Sequence, residues 1–382
     1  MTFKRYELTI PVELTSELHI GGVDEVPERD GKGTVIRFCR NGLKEPTIPG
    51  RSIRGAVRAA CDVARQALED AGDPATQDGG VFSKATWVSL WGDDSADTGK
   101  SLLDRRLRRD DSLPIRQSAL TFHAVSFPEY KDNDSGESPL PRRHGVGIDR
   151  TTGAASDGAL YEHEFLPRGT RFTIRITAEG RDQSDGIPGP ASSESVKKLL
   201  EVIVDILKSG AVCLGGRTGS GQGTIQVIEP KLRRTGKTTD AGALTAPADV
   251  LDALIGEDEE GTPIPLELGG WSLQEPARIR ITWWSPTGIF VAEDQELTDR
   301  RKEEAQKKNP EANGVTEPLR DPSVDWDEAQ LLIPGTSIRG ALRSRVSRIA
   351  RTILAARDEL STSTSHDLHE QIAAEPNLVR YM

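Results

Sequence analysis

Two strings carry the same residue types at the same spacing. They are Ile48-Pro49-Gly50-Arg51-Ser52-Ile53-Arg54-Gly55-Ala56-Val57-Arg58 and Ile333-Pro334-Gly335-Thr336-Ser337-Ile338-Arg339-Gly340-Ala341-Leu342-Arg343, identical at nine of eleven positions and 285 residues apart. Each sets a Pro-Gly break, a serine able to cap backbone amides and arginines four residues apart at the start of a predicted helix. Unpaired amides at a helix N-terminus, a nearby glycine and several guanidinium groups are the chemistry of phosphate binding. The candidates are Arg51, Ser52, Arg54 and Arg58 in the first string and Ser337, Arg339 and Arg343 in the second. For either string alone, a solvated arginine face on an amphipathic helix is the simpler reading. Repetition of the whole string favours a shared contact with a polyanion.

A third segment, Leu214-Gly215-Gly216-Arg217-Thr218-Gly219-Ser220-Gly221-Gln222-Gly223, holds five glycines. Nucleotide-binding fingerprints run strand, loop, helix; here a helix precedes and a strand follows, and no Lys-Ser/Thr pair closes the loop. That sets aside dinucleotide and P-loop chemistry. Backbone amides around Gly216 and Gly219, with Arg217 and Thr218, can instead line a phosphate backbone as an anion-binding nest. A tight helix-to-strand connection alone would need one or two glycines.

The elements that must position these groups can be read from periodicity. Ile53, Val57, Cys61, Ala64 and Leu68 recur at helical spacing after the first string, and Ile338, Leu342, Val346, Ile349 and Ile353 after the second, so each predicts a helix with one stripe on a core. Gly55 and Gly340 are expected to let another backbone approach the first turn. Tyr6 to Leu14 alternates like a half-buried strand, and Leu18-His19-Ile20-Gly21-Gly22 ends it. Residues 72–165, rich in Gly, Asp, Ser and Pro, read as insertions or long hairpins. Thr170 to Thr177 is a strand, 192–209 a helix, and Gly223 to Ile228 a closing strand. This order predicts an α+β, ferredoxin-like (RRM-like) antiparallel sheet with helices on one face and the other face free.

The second copy opens with the alternating Ala277 to Trp284, turns at Ser285-Pro286-Thr287-Gly288 and reaches its helix at Ser337. The residues after that helix are too few for the missing elements, so the copy is expected to be incomplete or finished by another chain. The expected organisation is a complete domain over 1–230, an acidic linker over 231–276 and a partial second domain over 277–382.

Composition bounds the partners. The net charge of −11 in 382 residues argues against a non-specific DNA-binding protein. The acids cluster, however: Glu257-Asp258-Glu259-Glu260 lies between the copies, whereas 332–351 holds five arginines and no acid. A local basic track therefore remains open, because contact electrostatics are set within a Debye length of about 10 Å. Cys39, Cys61 and Cys213 form no CxxC pair, which argues against a disulfide framework and a structural zinc. No leader or membrane-spanning run is evident, so a cytoplasmic protein without membrane contact is expected.

Four segments in order resemble the RAMP superfamily of CRISPR-associated proteins, in particular the backbone subunits of type III effector complexes. They are Leu18 to Gly22, Ile48 to Arg58, then Ile148-Asp149-Arg150-Thr151-Thr152-Gly153-Ala154-Ala155 with Glu164 to Phe172, and the loop over 214–223. The likeness spans nearly all of residues 1–230; the second copy matches in its opening strand and its repeated string. The resemblance implies an antiviral ribonucleoprotein whose partners are a guide (CRISPR) RNA, a complementary target RNA and other subunits. The Gly loop and basic helix starts would hold guide phosphates, and the segment around Arg150 would belong to a protruding hairpin that displaces a nucleotide. Backbone-directed contacts need arginines, amides and glycines but no base-reading code.

The resemblance also implies target-RNA cleavage by an aspartate in the loop between the first strand and first helix. Asp24 and Asp30 are available there, Asp30 being favoured, and Asp321, Asp325 and Asp327 lie in the corresponding loop of the second copy. Such a carboxylate would hold a divalent metal, Mg²⁺ being expected, with Asp30 as ligand, or take the 2′-hydroxyl proton. Loops are rich in Asp for turn chemistry alone, which weighs equally for any one of them. His19 is read as packing, and His144, beside Arg142-Arg143, as an RNA contact. The alternatives are a non-catalytic guide-binding scaffold and a guide-processing endoribonuclease.

Overall fold

Alternation in the first fourteen residues becomes a long strand, β1 (Thr2–Leu14), at the centre of the main sheet. The computed structural model describes residues 2–27, 34–78, 80–92, 118–148, 155–182, 192–240, 261–269, 280, 282, 284–289, 291 and 331–357. Within them the chain runs β2 (Gly21–Pro27), β3 (Thr34–Phe38), β4 (Thr47–Ile48), α1 (Gly50–Asp70), α2 (Lys84–Trp91), β5 (Leu120–Phe122) and β6 (Val125–Ser126). It continues with β7 (Arg142–Ile148), β8 (Ala155–Glu164), β9 (Arg171–Asp182), α3 (Ser193–Lys208), β10 (Ile225–Val227), β11 (Lys231–Asp240), β12 (Thr262–Ile264) and α4 (Gly335–Ala356). The architecture is the expected α+β, ferredoxin-like one.

The main sheet has the order β12-β11-β1-β9-β5, with β10 also paired to β1, and these pairings are antiparallel. Leu8 stands opposite Ile176 on one side and Leu232 on the other. Because side chains alternate along a strand, this register puts Leu8, Ile10, Val12, Ile174 and Ile176 on one buried face. Across that face lie α1, through Ile53, Val57 and Cys61, and α3, through Val196, Leu199, Leu200, Ile203, Val204 and Leu207. Burying each such side chain stabilises by about 1.5–3 kcal/mol. The opposite face carries charged pairs, Arg5–Glu179 and Arg171–Glu13, each at 2.7 Å.

The arginine stripe of α1 is largely taken up by α2. Arg54 donates to the carbonyl of Trp91 and lies 6.0 Å from its ring centroid. Arg65 donates to the carbonyl of Phe82 at 3.1 Å and sits over Trp87. Arg58 pairs with Asp62, which also accepts the Trp87 indole N–H at 2.7 Å. Trp91 in turn stacks on Phe122 of β5, so the stripe joins α1 to a second helix and to the sheet edge.

β2, β3, β8 and β7 form a second sheet in that order. The β3–β8 pair is parallel, the others antiparallel. Its strands lie within or beside what the sequence marks as loop and hairpin.

Three expectations are corrected. The stretch 231–276, expected as a linker, contributes β11 and β12 to the main sheet, with Leu232 buried in the core. Neither Gly55 nor Gly340 has an atom within 4 Å of where a Cβ would stand. It is Gly50 and Gly335 that meet another backbone, since a Cβ on them would collide with the carbonyl oxygens of Phe122 and Ser220. Lastly, the stripe of α4 faces outward, with Ile338, Leu342, Ile349 and Ile353 44%, 49%, 49% and 48% exposed, where Ile53 and Val57, matching the first two, are buried and Ala64 and Leu68, matching the others, are half-buried. The segment expected as the opening strand of a second copy and the acidic run 257–260 lie wholly or largely outside the described residues. The turn expected after that segment is present, closed by Ser285 Oγ donating to the Gly288 carbonyl at 2.8 Å.

Candidate nucleic-acid interface

The repeated string folds the same way twice. In α1 the amides of Ser52 and Ile53 donate to the Pro49 carbonyl at 2.8 and 3.3 Å; in α4 those of Ser337 and Ile338 donate to the Pro334 carbonyl at 3.0 and 3.2 Å. Proline is the cap residue of α1 and makes no side-chain cap bond, so Ser52 stands inside the first turn, a correction to its expected capping role. The surroundings of the two starts differ. Gly50 abuts the end of β5, whereas Gly335 abuts Ser220 of the Gly loop.

That loop is built on the end of β1. Leu214 and Gly223 are held together by a hydrogen bond from the Leu214 amide to the Gly223 carbonyl (2.8 Å), and the Gly223 and Gly216 amides donate to the carbonyls of Glu17 (2.7 Å) and His19 (2.9 Å). Gly215, Gly221 and Gly223 have φ of 79°, 83° and 79°, a region that costs other residues strain. Much of the glycine content is thus conformational. Gly219 has a further reason: its missing Cβ leaves room for the Arg339 guanidinium, 3.2 Å from where that Cβ would be.

Arg217 flanks the loop on its other side. Its backbone is left-handed (φ 58°, ψ 21°), and its side chain lies 4.7 Å from the Tyr161 ring centroid while Nη1 donates to the Tyr161 hydroxyl at 3.0 Å. Tyr161 and His163 share one face of β8. His163 packs 5.3 Å from His19, whose Nδ1–H donates to the Glu164 carbonyl at 2.6 Å. Both imidazoles are buried, 2% and 5% exposed. Burial, followed by repulsion from Arg217, His19 and Arg143, pushes His163 down to about 3. Burial likewise lowers His19, as expected of a packing residue. Beside them Arg143 reaches Glu17 and lies over Phe165. A cleft of about 140 Å³ opens between Arg143, Arg168, Ser220 to Gln222 and residues 332–336 at the start of α4.

The structure therefore brings Gly216, Arg217, Thr218 and Gly219 together with Ser337 and Arg339, from opposite ends of the sequence. Arg343 follows one turn later, its guanidinium pKa lowered by burial and by Arg339. Arg51 is exposed at the start of α1, apart from the loop, while Arg54 and Arg58 are engaged beneath α2. His144 lies on the opposite face of β7 from Arg143 and pairs with the buried Glu162 at 2.9 Å. Asp24 falls in β2, not in a loop. Asp30, Asp321, Asp325, Asp327 and Arg150 lie outside the described residues. Among the described residues no group of three or more His, Cys, Asp or Glu is placed to hold a metal ion. Sequence reasoning missed Tyr161, His163 and Arg143; the every-second-residue run Tyr161, His163, Phe165 is the signal that marks their shared face.

Among the described residues no helix is long and apolar enough to cross a membrane. A family model described as the RAMP superfamily matches residues 12–226, from within β1 to β10. No curated protein matches the chain.

Proposed function

The chain belongs to the RAMP superfamily, whose members bind CRISPR RNA within multi-subunit complexes, and from that premise we propose that it is a guide-RNA-binding backbone subunit of a type III effector complex. One observation carries the reading: Arg339 stands against Gly219 while Arg217 flanks the same loop. Two guanidinium groups and a glycine-rich backbone then face one phosphate track, with no aromatic base reader required. Sequence selection comes from the guide, as in other RNA-guided systems.

Cleavage of the complementary RNA is the finer part of the proposal. Asp30 lies in the sequence between β2 and β3, outside the described residues. This aspartate is proposed to act on the target, with Asp24 and Asp325 as the alternatives. A guide-processing role is disfavoured, because His19 and His163, the histidines beside the loop, are buried and held neutral.

Co-purification followed by a cleavage assay tests both levels. The complex is expected to carry guide RNA of discrete length and to cut complementary RNA in Mg²⁺, and Asp30→Ala to remove a cut while assembly persists. Guide-bound complex that never cuts leaves the scaffold reading; continued cutting by Asp30→Ala moves the role to another aspartate.

A further inference from the structure

Tyr161 occupies a junction that the RNA-contact reading does not use. Its backbone joins three strands, pairing with Gly145 of β7 and Thr34 of β3. A Cβ at Gly145 would collide with the Tyr161 ring, so the ring lies across that glycine and fills its place on the sheet. The same ring carries the Arg217 guanidinium, and its hydroxyl accepts from Nη1 at 3.0 Å. A guanidinium has five N–H donors in a rigid plane, so this contact fixes the plane and leaves further donors for an anion.

Gly145, Tyr161 and Arg217 thus form one continuous contact from the β7–β8 hairpin to the Gly loop. The loop end is itself held stiffly, by the left-handed backbone at Arg217 and by the Gly216 bond to His19. Tilting the hairpin would have to move Arg217 or break the stack. We infer that Tyr161 is a positioning residue that fastens the hairpin to the Gly loop, so that both respond to bound RNA as one unit. This rests on the guide-binding reading above.

Hydrogen–deuterium exchange of the full chain, with and without a synthetic guide RNA, reads the coupling. In the wild type, guide binding is expected to slow exchange at least tenfold both in 214–223 and in 155–164. Tyr161→Phe keeps the ring and is expected to keep both effects. Tyr161→Ala is expected to retain loop protection and lose that of the hairpin, to less than threefold, at an unchanged melting temperature. If Tyr161→Ala does not fold, Gly145→Ala is read instead: its methyl displaces the Tyr161 ring from its place while leaving the loop residues unchanged, and the same selective loss is expected. Hairpin protection that survives in the folded variant, or that is missing from guide-bound wild type, overturns the inference and leaves guide binding intact. A wild-type chain that binds no guide overturns the functional reading and the inference with it.

Discussion

Gly335 lies so close to the carbonyl oxygen of Ser220 that no side chain fits between them. The contact seats α4 on the Gly loop, and the position matches Gly50 in the repeated string, which meets the Phe122 carbonyl instead.

The two glycines should therefore fail differently. Gly50→Ala pushes α1 off β5 in the core, which costs about 1–3 kcal/mol and lowers the thermal midpoint. Gly335→Ala is expected to separate α4 from the loop and weaken RNA binding, with little change in the melting of the β1–β10 core. Gly55→Ala and Gly340→Ala meet open space, and replacing an interior helix glycine stabilises by up to about 1 kcal/mol. Scanning calorimetry of the four variants separates these outcomes.

Acid sensitivity should trace to His163 and His19. Both are held neutral in the folded chain, so their folded pKa values lie below the unfolded value of about 6.5. The unfolded chain then binds more protons, and stability falls as pH drops from about 6.5 toward the folded value of His163, about 3. The slope approaches about 1.4 kcal/mol per pH unit for each group. Denaturant titrations between pH 7 and 4 should show a shallower loss for His163→Phe than for wild type.

Arg37, Arg40, Asp132 and Glu164 form a cluster of paired charges. Glu164 is fully buried and accepts from the Phe38 amide (2.9 Å) and from Arg40 (2.8 Å), which also pairs with Asp132. Glu164→Ala leaves Arg40 half-paired in a buried site and should cost about 3–5 kcal/mol. A loss below about 1 kcal/mol by urea denaturation would show that water replaces the carboxylate.

Much of the main sheet was legible because burial on one face imposes a period. Residues 6–14 and 170–177 alternate, and 192–209 repeats at helical spacing; all three are where the sequence puts them. The arginine seam was hidden, since spacing on α1 cannot tell solvent from a partner helix, and α2 lies in a polar, turn-rich region. The second sheet was hidden for another reason. β2 and β3 are short and mixed in polarity, and the β3–β8 pair is parallel between segments more than a hundred residues apart. The Gly loop was recognised as a site of interest, but its glycines answer largely to positive φ and close carbonyls. The meeting of Gly219 with Arg339 depends on tertiary packing between distant segments, to which local patterns are blind.

Guide binding at the Gly loop is tested most directly by fluorescence-anisotropy titration of a labelled guide RNA at several salt concentrations. Wild type should bind with an affinity that falls steeply with salt. Arg217→Ala combined with Arg339→Ala should weaken binding at least tenfold and reduce the log–log salt slope by about 1.4, the value for two lost phosphate contacts on a single strand. Folded double variant that binds as tightly, with the same salt slope, would contradict the assignment of the loop as the guide-phosphate site.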